Sequence, residues 1–190
     1  MLRIAIIVGT TRPGRRGDIV ARWVHAHASG RGDASYELVD LADHRLPVLD
    51  EPVAAAMSEE YVHAHTRRWA ATIASYDGFV FVTPEYNHST TAALKNALDY
   101  LYREWHDKAC GFVSYGINGG VRAVEHLRQI VGELHLADVR DQVALSAFDD
   151  FDGSRLDPPQ HHLDTLHRML DQLTAWADAL RKARTAADAA

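Results

Sequence analysis

Continuous apolar runs alternate along this chain with segments in which apolar residues recur every three or four positions. The runs Ile4–Val8, Phe79–Val82 and Ala109–Tyr115 are typical of strands buried on both faces, Tyr36–Leu41 alternates like a more exposed strand, and Val139–Ser146 is predicted as the last strand. Strands separated by helical segments are joined by right-handed crossovers, so the strands run parallel and helices cover both faces. The pattern therefore predicts an α/β three-layer sandwich around a five-stranded parallel sheet.

The helical segments each carry an apolar stripe at helical spacing. The first predicted helix begins at the proposed cap Asp18, and the others cover the segments 58–74, 89–105, 121–134 and 163–180. Val62 and Trp69 are predicted on the inner stripe of the 58–74 helix, and Trp176 on that of the last helix. Because no repeat or linker interrupts the pattern, residues 1–184 are predicted to form a single domain, and the alanine-rich residues 185–190 a frayed tail.

Composition narrows the class of protein without changing the predicted fold. The 190 residues are 47% hydrophobic and 24% charged, and a net charge of −6 with a pI of about 6.0 argues against a nucleic-acid partner. No apolar segment has the length of a membrane span, and Cys110 is the only cysteine, which suits a reducing compartment. We therefore expect a cytoplasmic protein with neither a nucleic-acid nor a membrane partner.

The loop Gly9–Gly17, between the first strand and the first helix, has the composition of a phosphate-binding turn. A helix amino terminus carries unpaired N–H groups and partial positive charge, which favour a phosphate. The candidate ligand groups are hydroxyls, guanidinium groups and glycine backbone: Thr10, Thr11, Arg12, Arg15 and Gly17. The glycine spacing matches neither the dinucleotide G-x-G-x-x-G pattern nor the P-loop, and Arg16 is predicted to be solvated. The alternative is a basic surface turn.

The turn formed by Pro84, Glu85, Tyr86 and Asn87 directly follows the buried run Phe79–Val82. Proline cannot continue a strand ladder, so we expect the strand to end here, at the carboxyl edge of the sheet, where open α/β sheets bind ligands. The turn offers a flat aromatic ring, an amide and several backbone N–H groups, which suit a planar, hydrogen-bonding heterocycle. The alternative is an ordinary polar loop between a strand and a helix.

A third turn, Gly116–Gly120, follows the strand that ends with Ser114 and Tyr115. Its glycines allow the backbone to approach a ring, and Tyr115 could flank that ring. The alternative is a plain turn that begins a helix. Three such turns at one edge of the sheet indicate a ligand site more strongly than any one of them does.

Other chemistries find less support in the residues. The 12 histidines include no pair at i,i+4 on a predicted helix, so no metal ligand is predicted. Ser114 lacks the G-x-S-x-G elbow of a hydrolase, and Cys110 is expected to be a packed, inert thiol. Asp40, which closes the second strand, is interpreted as a turn residue, and Lys95 as a member of a structural or subunit ion pair.

In order and spacing, these segments resemble the NAD(P)H-dependent FMN reductases, a flavodoxin-like family that includes quinone, azo-dye and chromate reductases. The resemblance is carried by Gly9–Arg15, by Pro84–Asn87 with Leu94–Asp99, and by Gly116–Gly120 with Arg122 and Ala123. It extends from Ile4 to about Ser146 and implies a flavodoxin-like arrangement of the sheet. Two departures stand out: Thr10 and Arg15 occupy positions where the family often has serine, and Thr91-Ala92 stands where it often has Pro-Gly.

The resemblance implies FMN as the cofactor and NAD(P)H as the co-substrate, and it assigns roles to the three turns by position. The phosphate of FMN would be held by Thr10, Arg12 and Arg15 with the backbone to Gly17. The isoalloxazine would be cradled by Pro84, Glu85, Tyr86 and Asn87, largely through backbone groups, and bordered on its other side by Ser114, Tyr115 and Gly116.

The implied function is an oxidoreductase that passes hydride from NAD(P)H through bound flavin to a small acceptor by a ping-pong mechanism. The acceptor would be a quinone, free flavin, azo compound or metal oxyanion. No side chain is expected to act as a general acid or base, so no catalytic residue is named, and a homodimer or homotetramer is implied. Two alternatives stay open: an FMN-binding electron-transfer protein that serves partner proteins, and a non-redox module that binds a phosphorylated ligand.

Overall fold

The central sheet has five parallel strands, as the hydrophobic pattern predicts. In the computed structural model, which describes residues 1–58, 60–153 and 155–188, the strands are β1 (Leu2–Val8), β2 (Ala34–Asp40), β3 (Gly78–Pro84), β4 (Lys108–Gly116) and β5 (Leu136–Ser146). Their order in the sheet is β2-β1-β3-β4-β5. A short antiparallel ribbon, β6 (Phe151–Asp152) and β7 (Arg155–Leu156), follows β5. The predicted α/β sandwich is confirmed.

The helices are α1 (Gly17–Ser29), α2 (Leu41–His44), α3 (Ala64–Ala74), α4 (Ala92–Asp99), α5 (Val121–Glu133) and α6 (Gln160–Asp188), with 3-10 turns at Ala55–Met57 and Arg103–Trp105. Alternate side chains of β1 divide between two apolar layers, since Ile4 and Ile6 face α1 and α6 while Ala5 and Ile7 face α3, α4 and α5. Among the described residues, no helix is both long and apolar enough to cross a bilayer.

Helix boundaries are where the sequence-based prediction is wrong. The predicted helix 58–74 begins only at Ala64, because the Glu51 carboxylate accepts the backbone N–H groups of Val62 and His63 at 2.9 and 3.0 Å and fixes the entry to α3. Val62 therefore lies before the helix with 61% of its surface exposed, whereas Trp69 is buried as predicted.

The predicted helix 89–105 is divided into α4 and a separate 3-10 turn. The helix α4 begins only at Ala92 because Thr91 caps it by accepting a hydrogen bond from Leu94 N at 3.0 Å. Asp18 is not the cap of α1: Arg16 occupies that position, and Asp18 lies inside the first turn, where its charge suits the helix dipole. Trp176 is 49% exposed and so lies off the inner stripe of α6.

The single domain over residues 1–184 and the frayed tail at residues 185–190 stay predictions. The structure continues α6 through Asp188, and residues 189–190 lie outside the described part of the chain.

Gly9 lets the first loop lie against the second half of the sheet. Its N–H donates to Val82 O at 2.8 Å, and its carbonyl accepts the buried hydroxyl of Thr91. A Cβ at this position would stand 2.8 Å from Val82 O and 2.9 Å from Leu94 Cδ2, both closer than real Cβ contacts. The Thr91 hydroxyl therefore ties α4 to the loop after β1, and only glycine fits between them.

Gly9→Ala should lower the free energy of unfolding by about 1–3 kcal/mol, since overpacking forces a backbone shift. Urea denaturation of wild type and variant measures this difference. Gly30→Ala is the matched control, because Gly30 has a helical φ of −78° and no atom within 4 Å of the added Cβ. Equal stabilities for the two variants would contradict the assigned close approach at Gly9.

Candidate functional site

Three turns that are distant in sequence meet at the carboxyl edge of the sheet. They follow β1, β3 and β4, which are adjacent strands, so the loops Gly9–Gly17, Pro84–Ser89 and Gly116–Gly120 lie side by side. This edge of an open α/β sheet is where ligands bind. A cavity of about 270 Å³ opens there, lined by Arg12, Gly14, Arg15, Arg16, Pro84, Tyr86 and Tyr115.

Gly17, the first residue of α1, brings the helix amino terminus to the wall of this cavity. A Cβ on Gly17 would stand 2.8 Å from Thr10 Cγ2 and 3.0 Å from the Tyr115 hydroxyl oxygen. The Thr10 hydroxyl in turn lies 3.1 Å from the Tyr86 hydroxyl. The unpaired N–H groups and positive dipole end of α1 therefore face a space bordered by hydroxyl and guanidinium groups, which is suited to an anion.

Arg15 lines the cavity with a guanidinium group that already has hydrogen-bond partners within the chain. Its Nη1 donates to Thr10 O at 2.8 Å, its Nη2 donates to the Asp40 carboxylate, and its Nε lies 3.8 Å from Asp18 Oδ1. Asp40 also accepts a hydrogen bond from Ala42 N at 2.9 Å and so caps α2. The interpretation of Asp40 as a turn residue is therefore incomplete, because the same side chain joins β2 to the loop after β1.

The prediction that Arg16 is solvated is wrong, because its side chain has partners within the chain. Its guanidinium lies 4.6 Å from the centre of the Phe151 ring and donates to Ala147 O at 3.1 Å and Gly153 O at 3.3 Å. The loop after β5 and the β6–β7 ribbon are thereby held against the cavity. No periodic pattern along the chain indicates these contacts, since the ribbon strands have two residues each.

The remaining predicted residues of the first loop are separated from one another. Arg12 is exposed at the mouth of the cavity. Thr11 lines a different depression, of about 300 Å³, whose other walls come from α2, α4 and the residues after α2. The structure therefore places Arg12 and Arg15 in the cavity lining, Thr10 and Gly17 directly behind the lining residues Tyr86 and Tyr115, and Thr11 at a different depression.

The second turn is a narrow hairpin. Tyr86 N donates to Ser89 O at 2.9 Å and Ser89 N donates to Tyr86 O at 3.0 Å. Asn87 and His88 between them have φ values of 49° and 68°, a left-handed conformation that asparagine tolerates better than most residues. Both side chains are exposed at the tip of the turn, so the closing hydrogen bonds and not the side chains fix its shape.

Glu85 ties the second turn to the third. Its N–H donates to Tyr115 O at 3.1 Å, and its carboxylate, with 8% of the side chain exposed, accepts Arg122 N at 3.2 Å, Arg122 Nε at 2.7 Å and Arg122 Nη2. The carboxylate therefore satisfies a backbone N–H in the first turn of α5 as well as the guanidinium group. Arg122 marks the resemblance described above, but only the structure reveals that Glu85 is its partner.

The hydroxyl of Ser114, at the base of the third turn, is directed inwards. Ser114 is buried, and its Oγ donates to Gly119 O at 2.6 Å. Gly119 and Gly120 have φ values of 69° and 73°, and a Cβ on Gly120 would stand 2.9 Å from Ser114 Cβ. The hydroxyl of Ser114 therefore supports the turn from beneath, and the exposed residues of the turn are Ile117 and Asn118.

Tyr115 points towards the first loop and not along the third turn. Its ring lies 6.3 Å from that of Phe151, and its hydroxyl lies beside Gly17. Burial is the main cause that raises the pKa of the Tyr115 hydroxyl, with Tyr86 and Asp18 adding to the rise, so this hydroxyl stays protonated at neutral pH. Tyr115 is therefore a neutral hydrogen-bonding group on the side of the cavity where the arginines lie.

Lys95 and Asn96 have structural partners away from the three turns. Lys95 Nζ lies 2.6 Å from Asp99 Oδ2, which confirms the predicted ion pair. Asn96 donates to Pro47 O at 2.7 Å and accepts from Leu49 N at 2.9 Å, so it supports the loop after α2. Neither side chain holds the turn at residues 84–89.

Burial raises the pKa of the Cys110 thiol, which is fully buried in β4 as predicted. Over residues 1–58, 60–153 and 155–188, no group of three His, Cys, Asp or Glu side chains is arranged to hold a metal ion.

Comparison with known proteins identifies relatives over most of the chain. A family model described as NADPH-dependent FMN reductase matches residues 2–150. An NAD(P)H-dependent FMN reductase of Nectria sp is 44% identical over 134 residues, which cover 68% of this chain and 67% of that protein. A quinone reductase of Escherichia coli (strain K12) is 30% identical over 195 residues, covering 96% of this chain and 97% of that protein.

The fold also matches solved flavoenzyme structures. FerB, an NAD(P)H:(acceptor) oxidoreductase from Paracoccus denitrificans, superposes with a TM-score of 0.73 over 94% of this chain and 98% of its own, at 18% identity. At this identity the match supports the fold, and the predicted flavodoxin-like arrangement is confirmed.

Glu85→Gln should lower the free energy of unfolding by about 1–3 kcal/mol, because a largely buried charge-assisted contact to Arg122 is lost. Urea denaturation measures the difference. Glu125→Gln is the control on α5, the helix of Arg122. Glu125 is 69% exposed and lies 3.6 Å from Arg128 Nε, so we expect a loss of at most about 0.5 kcal/mol. A loss no larger than that of the control would show that Glu85 does not tie the two turns together.

Proposed function

We propose that this chain, which belongs to the NADPH-dependent FMN reductase family, uses bound FMN to pass reducing equivalents from NAD(P)H to a small acceptor. FMN supplies the hydride chemistry when it is bound, and a ping-pong order follows if NAD(P)H and the acceptor use the same place in turn. The name of the Escherichia coli relative makes a quinone the first acceptor to test. Free flavin, azo compounds and metal oxyanions are the other candidates.

The observation that carries this proposal is the cavity at the amino terminus of α1. Three arginines line it, and the absence of a Cβ at Gly17 lets Thr10 and Tyr115 pack directly against the start of α1. A dianionic phosphate fits hydroxyl donors, a guanidinium group and helix N–H groups of this kind. The candidates to hold it are Thr10, Thr11, Arg12 and Arg15 with the backbone to Gly17. Of these, Arg12 and Arg15 line the cavity, Thr10 and Gly17 lie directly behind the lining residues Tyr86 and Tyr115, and Thr11 lines a different depression.

The flavin ring would lie at the other two turns. Pro84, Glu85, Tyr86 and Asn87 would cradle it, and Ser114, Tyr115 and Gly116 would border its other side. The side chains of Glu85 and Ser114 are engaged within the protein, so these positions would offer mainly backbone groups. The Glu85–Arg122 contact would hold the two turns at a fixed separation, which orients a bound ring without the cost of ordering loops.

No side chain of the site is assigned as a general acid or base. The Tyr86 and Thr10 hydroxyls are hydrogen-bonded to each other, and the Tyr115 hydroxyl has a raised pKa. In this proposal the chain contributes position and N–H dipoles, which act on charge developing in the ring during reduction. Catalytic rate would therefore depend on how well the turns hold their shape and not on one titrating residue.

A homodimer or homotetramer belongs to the same proposal. A groove of about 760 Å³ runs between α4 and α5 beside the 86–89 turn, and Ile130, Leu134, Lys95 and Glu133 are among its walls. A second copy of the chain bound in this groove would lie next to the Pro84–Ser89 turn. The cytoplasm is the proposed location, because Cys110 is a free thiol and suits a reducing compartment.

The test is titration of purified protein with FMN, followed by NADH and NADPH oxidation with and without 1,4-benzoquinone. We expect FMN fluorescence to be quenched on binding and the quinone to accelerate NAD(P)H oxidation. Arg12→Gln should weaken FMN binding about tenfold, the value of one charge-assisted hydrogen bond, and leave riboflavin binding unchanged. Arg140→Gln removes the same charge from a side chain that is 93% exposed on β5 and should change neither affinity.

Wild-type protein that takes up no FMN would refute the proposal. FMN uptake with slow NAD(P)H oxidation in the presence of quinone would favour an electron-transfer protein instead.

A further inference from the structure

The Arg15 side chain connects the loop after β1 to the end of β2. Its two terminal nitrogens bind Thr10 O, at 2.8 Å, and the Asp40 carboxylate. Val8 and Asp40 are paired across the two strands, so Asp40 lies at the carboxyl edge directly beside the start of the loop. The contact therefore ties the loop after β1 back to the strand that lies beside β1 in the sheet.

Breaking the contacts of Arg15 has a substantial free-energy cost. Its side chain is 16% exposed and that of Asp40 is 25% exposed, so both charged groups are mostly withdrawn from water. Breaking such a pair leaves the Asp40 carboxylate without its cation in a poorly solvated place, which costs more than breaking a surface ion pair. Arg12, by contrast, is exposed at the cavity mouth and is free to turn towards an anion.

We propose that Asp40 is a positioning residue for the phosphate cavity, and that it acts through Arg15. Asp40 holds the Arg15 guanidinium across the loop, and Arg15 in turn fixes the Thr10 carbonyl, so that the Thr10 hydroxyl and the N–H groups before Gly17 keep the shape that a phosphate requires. Arg15 serves as a brace of the loop, and Arg12 is the guanidinium that meets the phosphate. This inference rests on the proposed function, because it concerns how the same cavity receives the phosphate of FMN.

Removing the Asp40 charge has two opposite effects, which ionic strength separates. Loss of the brace loosens the loop and weakens phosphate binding, whereas loss of a nearby negative charge strengthens the long-range attraction of a dianion. At 1 M salt the Debye length falls to about 3 Å, so the long-range effect is screened while the effect of loop shape persists.

Asp40→Asn is the test variant, because asparagine caps a helix about as well as aspartate and so keeps the hydrogen bond from Ala42 N. In 1 M KCl we expect the Kd for FMN to rise about tenfold, as for loss of one charge-assisted hydrogen bond, and the Kd for riboflavin to stay within about twofold.

Asp43→Asn is the matched control, since Asp43 is an exposed aspartate on α2, three residues away. It should leave both Kd values unchanged. An equal loss of FMN and riboflavin affinity in Asp40→Asn would show a merely structural role and overturn the inference. An unchanged or lower Kd for FMN would also overturn it, because Arg15 released from Asp40 would then bind phosphate as well or better. Wild-type protein that binds no FMN would refute the proposed function, which is a separate result.

Discussion

The whole site depends on the adjacency of β1, β3 and β4 in one parallel sheet. Because the strands are parallel, the turns that follow them emerge at the same edge of the sheet. In the sequence, the second turn lies about 75 residues and the third about 110 residues after the first. Gly9 sets how closely the first turn can approach the second, through Val82 O and Leu94. That close approach brings the loop that carries Arg12 next to the turn that carries Tyr86, and both residues line the cavity.

The first turn, the second turn and the loop after β5 are then each fixed by a contact with a charged side chain. Arg15 joins the first turn to Asp40, Glu85 joins the second to Arg122, and Arg16 holds the loop after β5 through its carbonyl groups. These contacts use charges that the sequence alone would assign to ligands or solvent. The site is consequently preorganised by its own side chains, and few side chains remain for direct contact with a ligand: Arg12, Tyr86 and Tyr115 are the main ones.

Most of the fold could be predicted from the sequence, because buried parallel strands are continuous apolar runs that need no partner to be recognised. Helix starts could not be predicted as well. The start of α3 depends on Glu51, which lies 13 residues before Ala64, and no local pattern reports such a contact. Within the site, the glycines and Pro84 were informative because their backbone chemistry is local. The partners of Arg15 and Arg16 could not be predicted, because Asp40 lies 25 residues after Arg15 and Ala147 lies more than 130 residues after Arg16.

The central claim is that the amino terminus of α1 and its arginines form a phosphate site. The most direct test is the ³¹P NMR shift of FMN bound to the protein, followed from pH 5.5 to 8. A free phosphate monoester titrates with a second pKa of about 6. Held by Arg12 and the helix N–H groups, the phosphate should stay dianionic, so its shift should not change across this range. A shift that titrates as in free FMN would show that the phosphate lies outside the cavity and would contradict the account.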